Sequence, residues 1–184
     1  MIMPSGAEDL CWGEGPRRFE LFLEPTCPFS SKAFDKLMPL VAEVGDKFCV
    51  AIRLNAQPWH TFSSPVCRAI LASALGEGGK SAAARVMKSI FAHREEFILN
   101  EHREGPNMGV SPENILMRLE EISETQLASL FSRSEVTQDL KWHTRYARQN
   151  GVHATPSIMV DGLLTDRMSS GQSLEEWLSV LAKS

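Results

Sequence analysis

Among four cysteines, no two are spaced Cys-x-x-Cys, and no Cys/His cluster has the spacing of zinc ligands. A local dithiol cycle and a structural zinc site are therefore not expected. No run is long and apolar enough to span a bilayer. Basic residues are not in excess: 19 Lys and Arg face 23 Asp and Glu, a formal charge of −4. That balance argues against a nucleic-acid partner and against an anionic membrane surface. Residues Met1 to Asp9 lack a basic start followed by an apolar core, so no secretory signal is expected and the cytoplasm is the expected location. In such a compartment all four cysteines are expected as thiols. There is no internal repeat and no low-complexity tract.

What remains is a 184-residue chain that is 43% hydrophobic, enough for one large domain with a packed core and room for an insertion. Residues 1–16 read as a loose leader rich in Gly and Pro. Residues 18–24 read as a strand, stopped by Pro25. Ser31 to Val44 reads as a helix, with Pro39 expected to kink it. Lys47 to Asn55 reads as a second strand, apolar on both faces and so covered on both. Strand, helix and strand over this distance predict a right-handed unit with parallel strands.

From Ser63 to Asn150 the pattern is helical, with starts at Ser64-Pro65, Ser111-Pro112, Ser123 (with Gln126 at capping-box spacing) and Ser134. Ser157 to Val160 and Leu163 to Thr165 then flank Asp161-Gly162, a strong hairpin turn. Leu174, Trp177, Leu178 and Leu181 share one face of a final helix. The expected organisation is a strand-bearing domain in segments 17–60 and 150–184, with a helical insertion over 61–149.

The chemistry concentrates at Cys27-Pro28-Phe29-Ser30. A cysteine at a strand-to-helix turn meets unpaired backbone N–H groups and the positive end of a helix dipole. Such a field favours the thiolate, the nucleophilic form. Pro28 suits the first helical position. Far along the chain, Thr155-Pro156 precedes an apolar strand, and a proline there leaves a sheet-edge position without a donor.

Together these motifs resemble the DsbA-like members of the thioredoxin superfamily. Phe22 to Ser30 resembles the active-site turn, Gly151 to Ser157 resembles the cis-proline loop, and Val160-Asp161-Gly162 resembles the hairpin that follows it. The resemblance implies an α/β thioredoxin-like fold with an inserted all-helical subdomain. It also implies a cis Thr155–Pro156 bond packed against Cys27, and a Thr155 backbone that pairs with an extended peptide or glutathione. The family often carries a second cysteine where Ser30 stands. It often carries a buried acid about six residues before the nucleophile, where this chain has Leu21, with Glu20 and Glu24 nearby.

A thiolate attacks a disulfide to form a mixed disulfide. With Ser30 in the resolving position, release falls to a substrate thiol, to glutathione or to a distant cysteine. Cys27 is the expected nucleophile, and Ser30 is placed one turn on to donate a hydrogen bond to its sulfur. Pro28, Phe29, Thr155 and Pro156 are the expected substrate contacts, and His60 is a candidate auxiliary acid or base. Thiol- or disulfide-bearing proteins or peptides are the expected partners, with glutathione as a possible co-substrate and no tightly bound cofactor or metal.

Two other readings share the fold. One is a glutathione-dependent transferase or isomerase of the kappa-class or 2-hydroxychromene-2-carboxylate type, which uses serine where Cys27 stands. The other is a redox-inactive binding module. Cys-Pro-Phe-Ser also resembles the Cys-Gly-Phe-Ser of monothiol glutaredoxins, but the long insertion and Pro28 argue against that family.

Elsewhere, Cys49 and Cys67 read as core residues, and Cys11 as exposed or a distant partner. Trp59 reads as packing. Arg94-Glu95-Glu96 and Glu101 to Glu104 read as a solvated face flanked by His93 and His102. Lys141 to Tyr146 mixes basic and aromatic residues without making a nucleic-acid site.

Overall fold

The computed structural model describes residues 10–99 and 107–183. His102 and Glu101 to Glu104 lie outside the described residues. Five strands form one sheet in the order β1-β3-β2-β4-β5. They are β1 (Cys11–Trp12), β2 (Arg17–Leu23), β3 (Phe48–Leu54), β4 (Ser157–Val160) and β5 (Leu163–Thr165). β2 and β3 run parallel, and β1, β4 and β5 are antiparallel to their neighbours.

The register sorts the side chains. Phe19, Leu21 and Leu23 pair with Val50, Ile52 and Leu54, and all six lie in the main core. The alternate residues Glu20 and Phe22 pair with Ala51 and Arg53 and so face the other side. There a smaller cluster of Phe22, Ala147, Val152 and Met159 packs beside Tyr146.

Residues 10–16 correct the leader reading. Leu10 is fully buried, Trp12 nearly so, and β1 is hydrogen-bonded along β3. Glycines there permit close packing. A Cβ on Gly15 would lie 1.9 Å from the Lys47 carbonyl carbon, and one on Gly13 would lie 2.3 Å from the Phe48 oxygen. The Glu14 N–H donates to Gly45 O at 2.8 Å in the same crossing. The expectation of four thiols is also overturned. Cys11 and Cys49, brought to a Cα separation of 6.0 Å by the β1–β3 pairing, form a disulfide, and Cys27 and Cys67 are free.

Between β2 and β3 the predicted single helix is two: α1 (Pro28–Phe34) and α2 (Leu37–Val44). Pro39 lies inside α2, and its helical partner four residues back would be Asp35. The missing N–H and the ring's clash with that carbonyl account for the break at Asp35-Lys36 rather than a kink at Pro39 itself.

Helices α3 (Ser63–Leu75), α4 (Gly79–Ala92), α5 (Pro112–Ser123), α6 (Ala128–Phe131) and α7 (Ser134–Gln149) come between β3 and β4, with a 3-10 turn at Arg94–Phe97. Ser111 caps α5 by accepting from Asn114 N–H at 3.2 Å. The expected Ser123 cap is not made, because Ser123 is the last residue of α5. Glu120 serves α6 instead, its carboxylate accepting from the Leu127 and Ala128 N–H groups at 2.6 and 2.8 Å. Asp161 and Gly162 take positive φ at the β4–β5 hairpin, as a type I′ turn requires. Ser173 and Glu176 complete a capping box on α8 (Leu174–Leu181), which buries Trp177 and Leu181.

Candidate functional site

Cys27 is the N-cap of α1, with extended backbone (φ −86°, ψ 126°) and Pro28 following at the first helical position. Its sulfur is 9% exposed at the residue level and donates to Thr155 O at 3.6 Å. The Thr155–Pro156 peptide bond is cis. The structure thus brings Cys27, Thr155 and Pro156 together across 128 residues of chain. Pro28 and Phe29 are exposed beside Cys27, Phe29 at 57%.

Ser30 plays a different part from the one expected. It is fully buried, and its Oγ accepts from the Glu24 backbone N–H at 3.1 Å. Among the described residues no hydrogen bond joins Ser30 to Cys27. The hydroxyl therefore ties the first turn of α1 to the end of β2 and leaves the sulfur alone.

The acid of this site is Glu24, not a residue at position 21. Glu24 has no exposed surface. Its carboxylate accepts from the Thr26 N–H at 3.1 Å and from the Thr26 hydroxyl at 2.8 and 2.9 Å. His60 Nδ1 lies 2.9 Å from Glu24 Oε2 and 2.7 Å from Thr26 Oγ1. One proton arrangement satisfies all of these: Nδ1–H donates, and Thr26 passes its own hydroxyl hydrogen to Glu24. Burial would raise the Glu24 pKa. Hydrogen bonds from His60, Ser63 and Thr26, with the charge of His60, outweigh burial and hold it below its ordinary value.

Cys67 sits in α3, fully buried. Burial first, and then the charge of Glu24, push its thiol well above the ordinary value. That leaves it inert as a resolving thiol. Cys11 is already committed to Cys49.

His60 opens on its other side into a cavity of about 260 Å³ that Pro28, Trp59, Arg94, Ile98 and Leu99 also line. Trp59 is 52% exposed here, so it is a wall of this cavity rather than core packing. Arg94 is likewise drawn out of the expected solvated face. The sequence placed Glu24 near the site without a role and put Arg94 in a solvated face. A carboxylate directly after an apolar strand and before Pro-Thr-Cys was the available signal for the first. Arg94 had none, because Glu95 and Glu96 beside it give the stretch the look of solvent. Among the described residues no three His, Cys, Asp or Glu side chains gather to hold a metal.

A thioredoxin-type sheet, a cysteine at the start of α1 and a cis-proline loop against its sulfur define a DsbA-like thiol–disulfide oxidoreductase fold. The chain belongs to the DsbA-like thioredoxin-fold family. It is 48% identical to a putative protein-disulfide isomerase from Pseudomonas syringae, over 96% of this chain and 99% of that one, with a TM-score of 0.93. At 19% identity it shares the fold of Pseudomonas aeruginosa DsbA2 (95% and 93% covered, TM-score 0.64). At 18% identity it shares that of the Xylella fastidiosa oxidoreductase DsbA (92% and 86%, TM-score 0.66). No family model and no curated protein sequence matches it.

Proposed function

We propose that this protein exchanges thiols and disulfides through Cys27 as a monothiol, shuffling substrate disulfides or exchanging with glutathione. The observation that carries the reading is the pairing of a free helix-capping Cys27 with Thr155 across the cis-proline loop, with Ser30 in the position of a resolving cysteine. In the reaction the Cys27 thiolate attacks one sulfur of a substrate disulfide. One S–S bond forms, one breaks, and the departing thiolate takes up a proton. No net electrons move. A second thiol, from the same substrate or from glutathione, then attacks the mixed disulfide and restores Cys27. In this reading His60, oriented by Glu24 and Thr26, exchanges the proton. The relative described as a disulfide isomerase supports the isomerising form.

The test is intact-mass and peptide mapping of the protein in a glutathione redox buffer. The expected result is one glutathione adduct, on Cys27, lost in Cys27→Ser. No adduct on Cys27 would sink the reading. Glutathione conjugation to an electrophile that survives Cys27→Ser would point to the transferase class instead.

A further inference from the structure

The exchange step draws on His60 from the cavity beside Pro28 and leaves its other walls, Trp59, Arg94, Ile98 and Leu99, without a part. Its volume, about 260 Å³, is below the ~300–1,000 Å³ typical of sites for drug-sized ligands, so it takes a fragment of a ligand anchored elsewhere. One wall is Pro28, the residue that follows the nucleophile in the chain. Trp59, Ile98 and Leu99 make it largely apolar. Arg94 is the exception. Its Nε is buried with no hydrogen-bond partner among the described residues. One terminal nitrogen pairs with Glu95, whose side chain is 80% exposed and so holds it weakly. A buried guanidinium N–H without an acceptor is costly, and the acceptor that suits a guanidinium edge is a carboxylate.

The wall that carries Arg94 is fixed. Phe97 of the same turn is in the core at 1% exposure. Glu96 takes a two-pronged pair from Arg118 at 2.6 and 2.9 Å. Asn107 Nδ2 donates to the Glu95 and Ile98 carbonyls at 3.3 and 3.0 Å. Arg94 is thus presented by an anchored turn, as a recognition group needs to be.

We propose that this cavity is a subsite for the carboxylate of a small anionic thiol of the glutathione class, held as a mixed disulfide on Cys27 and read by Arg94. The proposal rests on the exchange reading above. It names the class of thiol that Ser30 makes necessary: the second thiol is a small carboxylate-bearing one.

The test is the equilibrium constant for exchanging each thiol onto Cys27 from its own symmetric disulfide, read by intact mass. Three thiols are compared: glutathione, glutathione with its glycyl carboxylate capped as the amide, and 2-mercaptoethanol. In the unmodified protein, glutathione is expected to exceed its amide about tenfold, the scale of one charge-assisted hydrogen bond. In Arg94→Gln the glutathione to 2-mercaptoethanol ratio is expected to fall by about the same factor, and Arg94→Lys should recover part of it. Equal constants for glutathione and its amide would overturn the subsite while leaving the exchange reading standing. A ratio unmoved by Arg94→Gln would do the same. Absence of any adduct on Cys27 with all three thiols would overturn both.

Discussion

Two glutamates four residues apart, Glu20 in β2 and Glu24 just after it, are both buried and end up with opposite characters. Glu20 pairs with Arg53 at 2.7 Å with both side chains at most 3% exposed. Tyr146 OH donates to its other oxygen at 2.9 Å. Arg53 lies over the Trp142 and Tyr146 rings, and burial, then the charge of Glu20, push the Tyr146 phenol up to about 12. Nearby, His143 Nδ1 accepts from the Leu54 N–H at 3.2 Å, and its Nε2 is buried without a partner among the described residues. Glu20, Arg53 and His143 are buried here, with Tyr146 half-buried at the margin. Glu24 is just as buried, but its histidine is 20% exposed and lines the cavity beside Pro28. The same residue types make a girder in one place and, in the proposed reaction, a proton-handling pair in the other. Access of the imidazole to solvent is the difference.

The contrast breaks first at the Glu20 end. Arg53→Met leaves Glu20 charged and buried, and is expected to cost about 3–5 kcal/mol in urea unfolding. Glutathionylation of Cys27 should be little changed per folded molecule. An equal loss of exchange would show the two clusters to be coupled.

A smaller effect comes from His143. Burial, then the charge of Arg53, lowers its pKa to about 3 from the ordinary 6.5. The unfolded chain therefore binds this proton first. Stability is full above pH 6.5 and falls as pH drops towards 3, by up to about 1.4 kcal/mol per unit. His143→Leu should flatten that slope in chemical denaturation series, at a cost of about 1–3 kcal/mol near neutral pH for the unpaired Leu54 N–H.

The smallest change in stability is expected from Glu24→Gln, about 1–2 kcal/mol, because His60 and water can partly re-pair. The exchange rate at Cys27 should fall about tenfold, through loss of the imidazole's orientation. The acid limb gives a second check. A carboxyl held below its ordinary value of 4.5 contributes fully above that pH and loses its contribution as pH falls through the folded value. Glu24→Gln should remove that loss. An unchanged exchange rate would make Glu24 structural like Glu20.

The elements carrying the nucleophile and the hairpin were legible because their signals are local. An apolar run stopped by Pro25, a proline at the first helical position and Asp161-Gly162 act within a few residues. β1 was not legible, since a two-residue strand has no periodicity and its glycines mimic a loose tail. Glu24 was half visible: its position was noted, but its role depends on His60, Ser63 and Cys67, which α3 and the loop before it bring in from 36 to 43 residues away. Ser30 was correctly located and given the wrong partner, because sequence spacing placed its hydroxyl near the sulfur but could not show that the end of β2 offers a better donor.

The Cys11–Cys49 bond, 38 residues apart in sequence, closes a covalent ring, and Cys27 lies inside it. A protease that nicks the ring between those two positions would cut the peptide chain without releasing the nucleophile's segment. The fragments would migrate as one species until a reductant separated them.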